Sequence, residues 1–542
     1  MRLRGILLAG GLCVSLGLPN LAAGQGQRLG AHDLPSAVAV TQAAYHDMSR
    51  PLRDMAPATD AGSARQIPLR PLREAGTNAP VSDAVDTALQ TAPAPLVAAR
   101  VITGFLGVGR AFRGYTVSSA PPDTNGAVGA TQYVQWVNTS FAVFDKATRA
   151  VLLGPVPGNT LWSGFGGPCQ TNNDGDAIAQ YDKAANRWVL TQFVVTGGPP
   201  FYQCVAVSTT SDATGAYNRY AFSYANFNDY PKLGIWPDGY YVSFNMFNPA
   251  GTSFLGARVC AYDRNKMLAG LAATQQCVQG TPSSTPNGLL PSDLDGATPP
   301  PAGSPAFFLG LVTPGVATSG NTLNLWKFHV DWTAPANSSF TGPTSIPVAP
   351  YALACGSSGA CVPQAGTTQQ LDSLGDRLMY RLAYRNFGDH ESLVVNHSVQ
   401  VASNTIGIRW YEIRNPNAAP VVFQQGTFSP DATSRWMGSI AMDKMGNMLL
   451  GYSTSSTSLH PGVRYTGRLT GDALNTMQAE ASILQGGGSQ QGQNLSRWGD
   501  YTAMSVDPVD NCSMWYTNEF LISSGAFNWS TVVLKIRFPN CQ

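Results

Sequence analysis

Charged side chains are scarce. Asp, Glu, Lys and Arg make up 12% of the 542 residues and sum to a net charge of +1, against roughly 25% charged in ordinary soluble domains. A field this weak gives no grip on nucleic acid or an anionic membrane surface. No nucleic-acid partner is therefore expected, and a surface rich in Gly, Ser, Thr, Asn and aromatic residues suits neutral polymers or sugars. Long apolar runs are missing beyond the first two dozen residues. The most apolar stretch, FFLGLV at 307–312, is strand-sized and well short of the roughly 20 residues of a membrane helix, so no membrane span is expected. Also absent are the G-x-S-x-G elbow, the P-loop and the dinucleotide fingerprint, which speaks against an α/β-hydrolase, an NTPase or a Rossmann oxidoreductase. Helix signals are few. The best is DRNKMLAGLAAT, with Asp263 as N-cap and Met267, Leu268 and Leu271 on one face.

At the N-terminus, Arg2 and Arg4 precede ILLAGGLCVSLGL and then Ala22-Ala23-Gly24, the three regions of a secretory signal peptide. Residues 1–24 are read as that signal and the mature protein as secreted, extracellular or periplasmic. Residues 25–98 hold one aromatic, Tyr45, amid Pro, Ala, Arg and Asp. So little apolar bulk does not offset ordering entropy, and a flexible, disordered leader is expected. From 99 to 542 the composition changes to strands and turns, read as one domain. Cys13 leaves with the signal, and the other eight cysteines fall into sequence-local couples. An even set in an exported chain reads as disulfides: Cys169 with Cys204, Cys260 with Cys277, Cys355 with Cys361, and Cys512 with Cys541, the last as a clasp for the C-terminus.

Between 99 and 542 one pattern recurs: an apolar–polar alternating strand, a turn built on Asp, Asn or Gly, and a second such strand. It occurs at YVQWVNTSFAVFD from Tyr133, AIAQYDKAANRWVLTQFVV from Ala177, YPKLGIWPDGYYVSFNMF from Tyr230 and AFFLGLVTPGVATSGNTLNLWKFHV from Ala306. It returns at RLMYRLAYRNFGDHESLVVNHSV from Arg377, and in two closely matching copies that start at Arg435-Trp436 and Arg497-Trp498. Seven hairpins over about 440 residues predict an all-β protein, a six- or seven-bladed β-propeller whose radial packing hides strand edges. The alternative is a pair of β-sandwiches divided at 278–305. That Pro-rich stretch is expected to be a loop covering one face.

The turns DKMGN at Asp443 and DPVDN at Asp507, each followed by a strand with an aromatic, resemble relaxed aspartate-box turns of sialidase-like and BNR-repeat propellers. The Ser before the Asp and the Thr-Trp after the Gly of that motif are out of register here. The resemblance implies a propeller in which the boxes are structural and lie on the outer rim. It further implies three arginines holding a substrate carboxylate, a Tyr with a Glu partner, and an Asp acid/base. Arg377, Arg435 and Arg497 at hairpin starts, and the Tyr516 to Glu519 cluster, are the residues available here.

Paired carboxylates are the other resource. Asp174 and Asp176 in NNDGDAIAQYD lie two apart before a strand, where both can face one way, and Asp123 in PPDTNG, Asp229 in FNDYPK and Asp500 in RWGDY also open strands. Converging on a central channel, Asp176, Asp500 and Asp229 can act as acid and base in glycoside cleavage. The glycines before Asp176 and Asp500 allow close backbone approach to a ligand. Asp123 and Asp174 can chelate Ca²⁺; all five can equally cap turns. The guanidinium groups of Arg377, Arg435 and Arg497 can grip an acidic sugar, or pair with aspartates of their own or the next blade. Trp162, in the Gly-rich NTLWSGFGG, reads as an exposed loop aromatic able to stack on a sugar ring. In GDHESLVVNHS, His390 and His397 stand seven apart on a strand, not one helical turn apart as a zinc protease needs, so the stretch reads as a polar hairpin tip. Two functions follow as expectations: a monomeric secreted propeller cleaving extracellular polysaccharide as a glycoside hydrolase or lyase, or a non-catalytic propeller binding glycan or protein at the cell surface, stabilised by Ca²⁺.

Overall fold

Alternating strands joined by tight Asp and Asn turns fold into antiparallel meanders, and the described residues make seven of them. The computed structural model describes residues 37–59, 65–67, 85–91, 94–311, 319–356, 359–403 and 405–542. The signal-peptide region and Cys13 lie outside the described residues. Each meander has four strands, and each is named here by number and first strand: sheet 1 (Thr124–Val128), sheet 2 (Ile178–Asp182), sheet 3 (Phe227–Ile235), sheet 4 (Leu290–Asp295), sheet 5 (Met379–Asn386), sheet 6 (Ser434–Met442) and sheet 7 (Ala503–Val506). The first strand of each sheet touches that of the next, and the first strand of sheet 7 touches that of sheet 1, so the inner strands form a closed cycle. Sheets 4 and 5 go further and pair in parallel, Ser292 with Leu382 through to Asp295 with Arg385.

Burial between sheets supplies the core. Tyr133 of sheet 1 stacks on Trp515 of sheet 7 at 5.4 Å between centroids, and Phe222 of sheet 2 on Tyr262 of sheet 3 at 4.4 Å. Such aromatic pairs contribute beyond their buried area by roughly 0.5–1.5 kcal/mol. Aspartates that end first strands secure the turns to the second. Asp443 Oδ1 accepts from the amides of Met445 and Asn447 at 2.8 and 3.0 Å, and Asp507 Oδ1 from the amide of Val509 at 3.0 Å. The four disulfides are the four local couples, and Cys260 lies in register with Cys277 on adjacent strands.

Three expectations are corrected. The segment 25–98 is not a free leader where it is described. Ala39–Gln42 adds a fifth strand to sheet 3 and Tyr45–Met48 a fifth strand to sheet 2, while Asp86 pairs with the buried Arg409 of sheet 5. Open outer edges offer backbone hydrogen bonds to any extended segment, so ordering here does not need the apolar bulk that the segment lacks. The chain from Pro35 to Gln542 is accordingly one unit, with no division near 278–305. That Pro-rich stretch contains the first strand of sheet 4: Pro291 stands at the second position of the strand, before its parallel pairing with sheet 5 begins at Ser292. Finally, the Cys512–Cys541 bridge ties the C-terminus to sheet 7 as expected but does not close the cycle of sheets; Arg100–Leu106 does, completing sheet 7 alongside Trp529–Arg537. The helix at Asp263 is shorter than its sequence pattern, Arg264–Leu268, with the Asp263 carboxylate accepting from the Lys266 amide.

Candidate functional site at the head of the first strands

Six of the seven inner strands carry a left-handed residue at or near their start: Asp123 (φ 45°), Asp176 (φ 43°), Tyr230 (φ 53°), Gly288 (φ 66°), Met437 (φ 50°) and Asp500 (φ 58°). Non-glycine residues in this region are uncommon, and clustered ones mark places where the surroundings hold the chain in a costly conformation. Three of the six are aspartates, and their carboxyl groups lie within electrostatic reach of one another.

Asp123 and Asp176 are both buried with their carboxyl groups in electrostatic contact, and Asp123 Oδ1 has no hydrogen-bond partner among the described residues. Burial drives the Asp123 carboxyl well above the usual carboxylate range, and the charges of Asp500 and Asp176 push it further. Asp176 is raised to about 6, again chiefly by burial, with Lys232 pulling it down and Asp500 pushing it up. Burial likewise lowers Lys232 to about 8, against the opposing pull of Asp176, Asp123 and Asp500.

Lys232 arrives because the first strand of sheet 3 shifts register between Asp229 and Lys232. Its ammonium sits 3.3 Å from the ring centroid of Tyr230 and 4.2 Å from that of Tyr501, and donates to the Pro231 carbonyl at 2.8 Å. Cation–π contact of this kind is strongest where water is excluded. The tyrosines are held in turn: Tyr230 donates to the Asp500 carbonyl and Tyr501 to the Ala177 carbonyl, both at 3.2 Å. Arg377 lies 4.6 Å over Tyr230 and grips Asp376 through two nitrogens at 2.8 and 3.2 Å. Arg497 pairs with Asp500 and donates to the carbonyl of Ile67 at 2.9 Å. Glu519 is buried beside Asp500 with neither carboxyl oxygen in an aligned hydrogen bond. Burial, then Asp500, pushes it well above the glutamate range.

Of the residues singled out in the sequence, Asp123, Asp176, Asp500, Arg377 and Arg497 thus come together. Asp174 does not join them. Gly175, at φ 106°, turns the chain between the two aspartates, and a Cβ there would fall 1.7 Å from Asn138 Oδ1. The Asp174 carboxylate instead clamps a turn, accepting from the amides of Val195 and Thr196 at 2.7 and 2.8 Å and from the Thr196 hydroxyl at 2.6 Å. Asp229 is half-buried on its strand, in register with Asn245. Arg435 is locked inside sheet 6 by Glu480, at 2.9 and 2.8 Å, and by Asp431 at 3.0 Å. Trp162, read as an exposed loop aromatic, is fully buried, in a 3-10 turn (Gly158–Trp162) packed against sheets 1 and 2. His397 is buried against Tyr411, far in environment from His390, which meets the exposed Asp389.

Of the two residues read as Ca²⁺ ligands, Asp123 lies in the cluster and Asp174 does not. Asp174 is spent in its turn, and among the described residues no group of three or more His, Cys, Asp or Glu side chains is arranged to hold a metal. Lys232 stands as the internal cation among the three aspartates. Lys232, Tyr230 and Tyr501 were missed in the sequence reading. The available signal was the recurrent Asp-Tyr at 229–230 and 500–501, whose two rings flank the ammonium.

No family model and no curated protein matches the sequence. Solved structures similar to this chain include the N-terminal domain of Nup159 (8% identity, TM-score 0.35, covering 84% of this chain and 100% of that one). They also include the phage phi92 endosialidase (8%, 0.35, 82% and 70%) and a polysaccharide lyase, an ulvan lyase (10%, 0.33, 82% and 96%).

Proposed function

We propose that the seven meanders are the blades of a seven-bladed β-propeller, and that the cluster at the head of its inner strands is an acid–base site acting on extracellular polysaccharide as a glycoside hydrolase or lyase. The observation that carries this reading is the buried trio of Asp123, Asp176 and Asp500 carboxyls set around the Lys232 ammonium. An acid near 6 and an amine near 8 bracket neutral pH, which is where proton transfer by side chains works best. Asp123 and Asp176, both held in their protonated form towards neutral pH by burial, supply the acid. Asp500 is then the partner carboxylate in a hydrolase. In a lyase, Lys232 in its neutral form takes the proton, and Arg497 and Arg377 offset the charge of an acidic sugar. The test is turnover across a panel of acidic and neutral polysaccharides. As a hydrolase, cleavage should fall as pH rises through about 6, where the Asp176 acid loses its proton; as a lyase it should follow a bell with limbs near pH 6 and 8; either should disappear in Asp176→Asn at unchanged fold.

One observation favours the non-catalytic reading. Asp123, Lys232, Arg377, Arg497, Asp176 and Asp500 are all at most 6% exposed, as a lock between inner strands would be. A wild-type protein that binds a panel member without cleaving any, and an Asp176→Asn variant that binds it equally well, would select that alternative.

A further inference from the structure

Three residues ahead of each clustered aspartate, at Asn173, Ala120 and Arg497, the chain touches one and the same segment, residues 65–67. Arg65 Nη2 donates to the Asn173 carbonyl at 3.0 Å, and the Ile67 amide to the Ala120 carbonyl at 2.7 Å. Arg497 Nη1 donates to the Ile67 carbonyl at 2.9 Å. The Arg65 amide adds a bond to the Ser118 carbonyl at 3.0 Å, so that Arg65 and Gln66 lie parallel to Ser119 and Ala120. Asp176, Asp123 and Asp500 precede the first strands of sheets 2, 1 and 7, which are consecutive in the cycle. The segment thus runs across the heads of the three strands that the carboxyls introduce.

What holds this segment differs from what holds the sheets. Arg65 and Gln66 are exposed and Ile67 is half-buried, so none of the three side chains belongs to the buried core. Arg65 reaches Asp174 only at 4.0 Å, and an ion pair this long and exposed contributes little in water. A few hydrogen bonds to carbonyls and one guanidinium can break without disturbing a strand of the ring, which makes this a piece of chain able to open locally. Its partner, however, belongs to the site. Arg497 is 3% exposed, and the Ile67 carbonyl takes an N–H that an acidic sugar would otherwise meet. Burial of the cluster therefore has a second cause besides a lock between inner strands: a segment laid over it.

We propose that residues 65–67 are an autoinhibitory strap over the three aspartate-headed strands, which has to leave before polysaccharide reaches Asp123, Asp176 and Asp500. The proposal rests on the acid–base reading of that cluster. The Ile67 carbonyl then stands where a sugar oxygen would meet Arg497.

The test compares the full chain with Arg65→Pro/Ile67→Pro, which removes both amide donors and the Arg65 side chain and alters no residue of the ring. Two quantities are read at a Tm close to that of wild type. One is turnover on the polysaccharide panel. The other is acetylation of Lys232 by acetic anhydride at pH 8, relative to the exposed Lys444, from peptide mass spectra. Lys232 is fully buried under the strap's side of the ring, so its labelling reports access whether or not the cluster is catalytic. Both quantities are expected to rise by about tenfold or more in the variant, because access no longer waits for local opening. Labelling that rises while neither protein cleaves any panel member would keep the strap as the cover of the cluster and overturn the acid–base reading. Equal labelling in the two proteins would overturn the strap, and equal turnover beside it would leave the acid–base reading intact. Ile67→Pro alone, which removes one amide, should show the same change at smaller size and replaces the double variant if that one does not fold. Failure of both to fold, or a Tm several degrees lower in both, would make the segment part of the fold and overturn the proposal.

Discussion

At the level of single residues, the cluster of Asp123, Asp176 and Lys232 ties stability to pH in two opposite senses. Asp176 has its carboxyl raised from 3.8 to about 6 in the fold, so between those values the folded chain keeps a proton that the unfolded chain has lost. Stability is therefore full below about pH 4 and falls as pH rises towards 6, at up to about 1.4 kcal/mol per pH unit for one proton. Lys232 is lowered from 10.5 to about 8. From pH 8 to 10.5 the unfolded chain holds the extra proton, and this term raises stability with pH. Unfolding free energies measured from pH 4 to 10 should show the first slope shallower in Asp176→Asn, with Asp123 still titrating, and the second missing in Lys232→Met. A wild-type profile flat from 4 to 6 would mean that Asp176 is not protonated in the fold. The aspartates could be read from sequence because Asp before a strand is a visible feature. Lys232 could not, because its place depends on a register shift after Asp229, and nothing in FNDYPKLG separates a lysine turned inward from one on a solvated face.

Strand and turn elements show why some of the architecture was legible and some was not. The seven sequence hairpins fall one in each of the seven sheets, since each is a local object: two alternating strands around a turn that an aspartate such as Asp443 or Asp507 secures by itself. Leu290–Asp295 escaped notice because it leans on a distant strand of sheet 5, and the strands Ala39–Gln42 and Tyr45–Met48 because they borrow the edges of sheets 3 and 2. The latter pair makes few core contacts: Val40, Tyr45 and Met48 are largely exposed. They do, however, cover backbone edges, and Asp47 neutralises the buried Arg219 through contacts at 2.9 and 2.6 Å. A chain lacking residues up to Met48 should keep its fold, lose several degrees of Tm, and associate in a concentration-dependent way through the bared edges. Light scattering across a concentration series reads this out. A truncated chain that stays monomeric at every concentration and melts with the full-length protein would show that these strands are passengers. The disulfides allow a comparison of the same kind. Cys169–Cys204 closes 35 residues and Cys355–Cys361 closes 6, so removing the first should cost more, by about 1.5 kcal/mol in the chain-entropy account.

For the whole molecule, the decisive element is the one that joins the two ends of the chain. The backbone of Arg100–Leu106 belongs to sheet 7, pairing with Trp529–Arg537, yet the Phe105 ring packs on sheet 1, 4.8 Å from the Phe144 centroid and 6.3 Å from that of Tyr133. One residue thus bridges the seam where the cycle of sheets closes. If the cycle unfolds as a unit, loosening this seam lowers the stability of every sheet together, because the first strands of sheets 7 and 1 each lose a neighbour once the ring opens. Phe105→Ala should lower the unfolding free energy read from a single urea transition by about 2 kcal/mol, less than the roughly 3–5 for a fully buried Phe. Ile102→Ala, on the same strand but 52% exposed, should stay within about 0.5 kcal/mol of wild type. Fluorescence from the buried tryptophans and far-UV circular dichroism, which report on packing and on strand content, should give coincident curves for both variants. Two separated transitions in Phe105→Ala, with sheets 6 and 7 melting before the remainder, would show instead that the sheets are stable in groups and that closure by Arg100–Leu106 fastens an assembly already able to stand open.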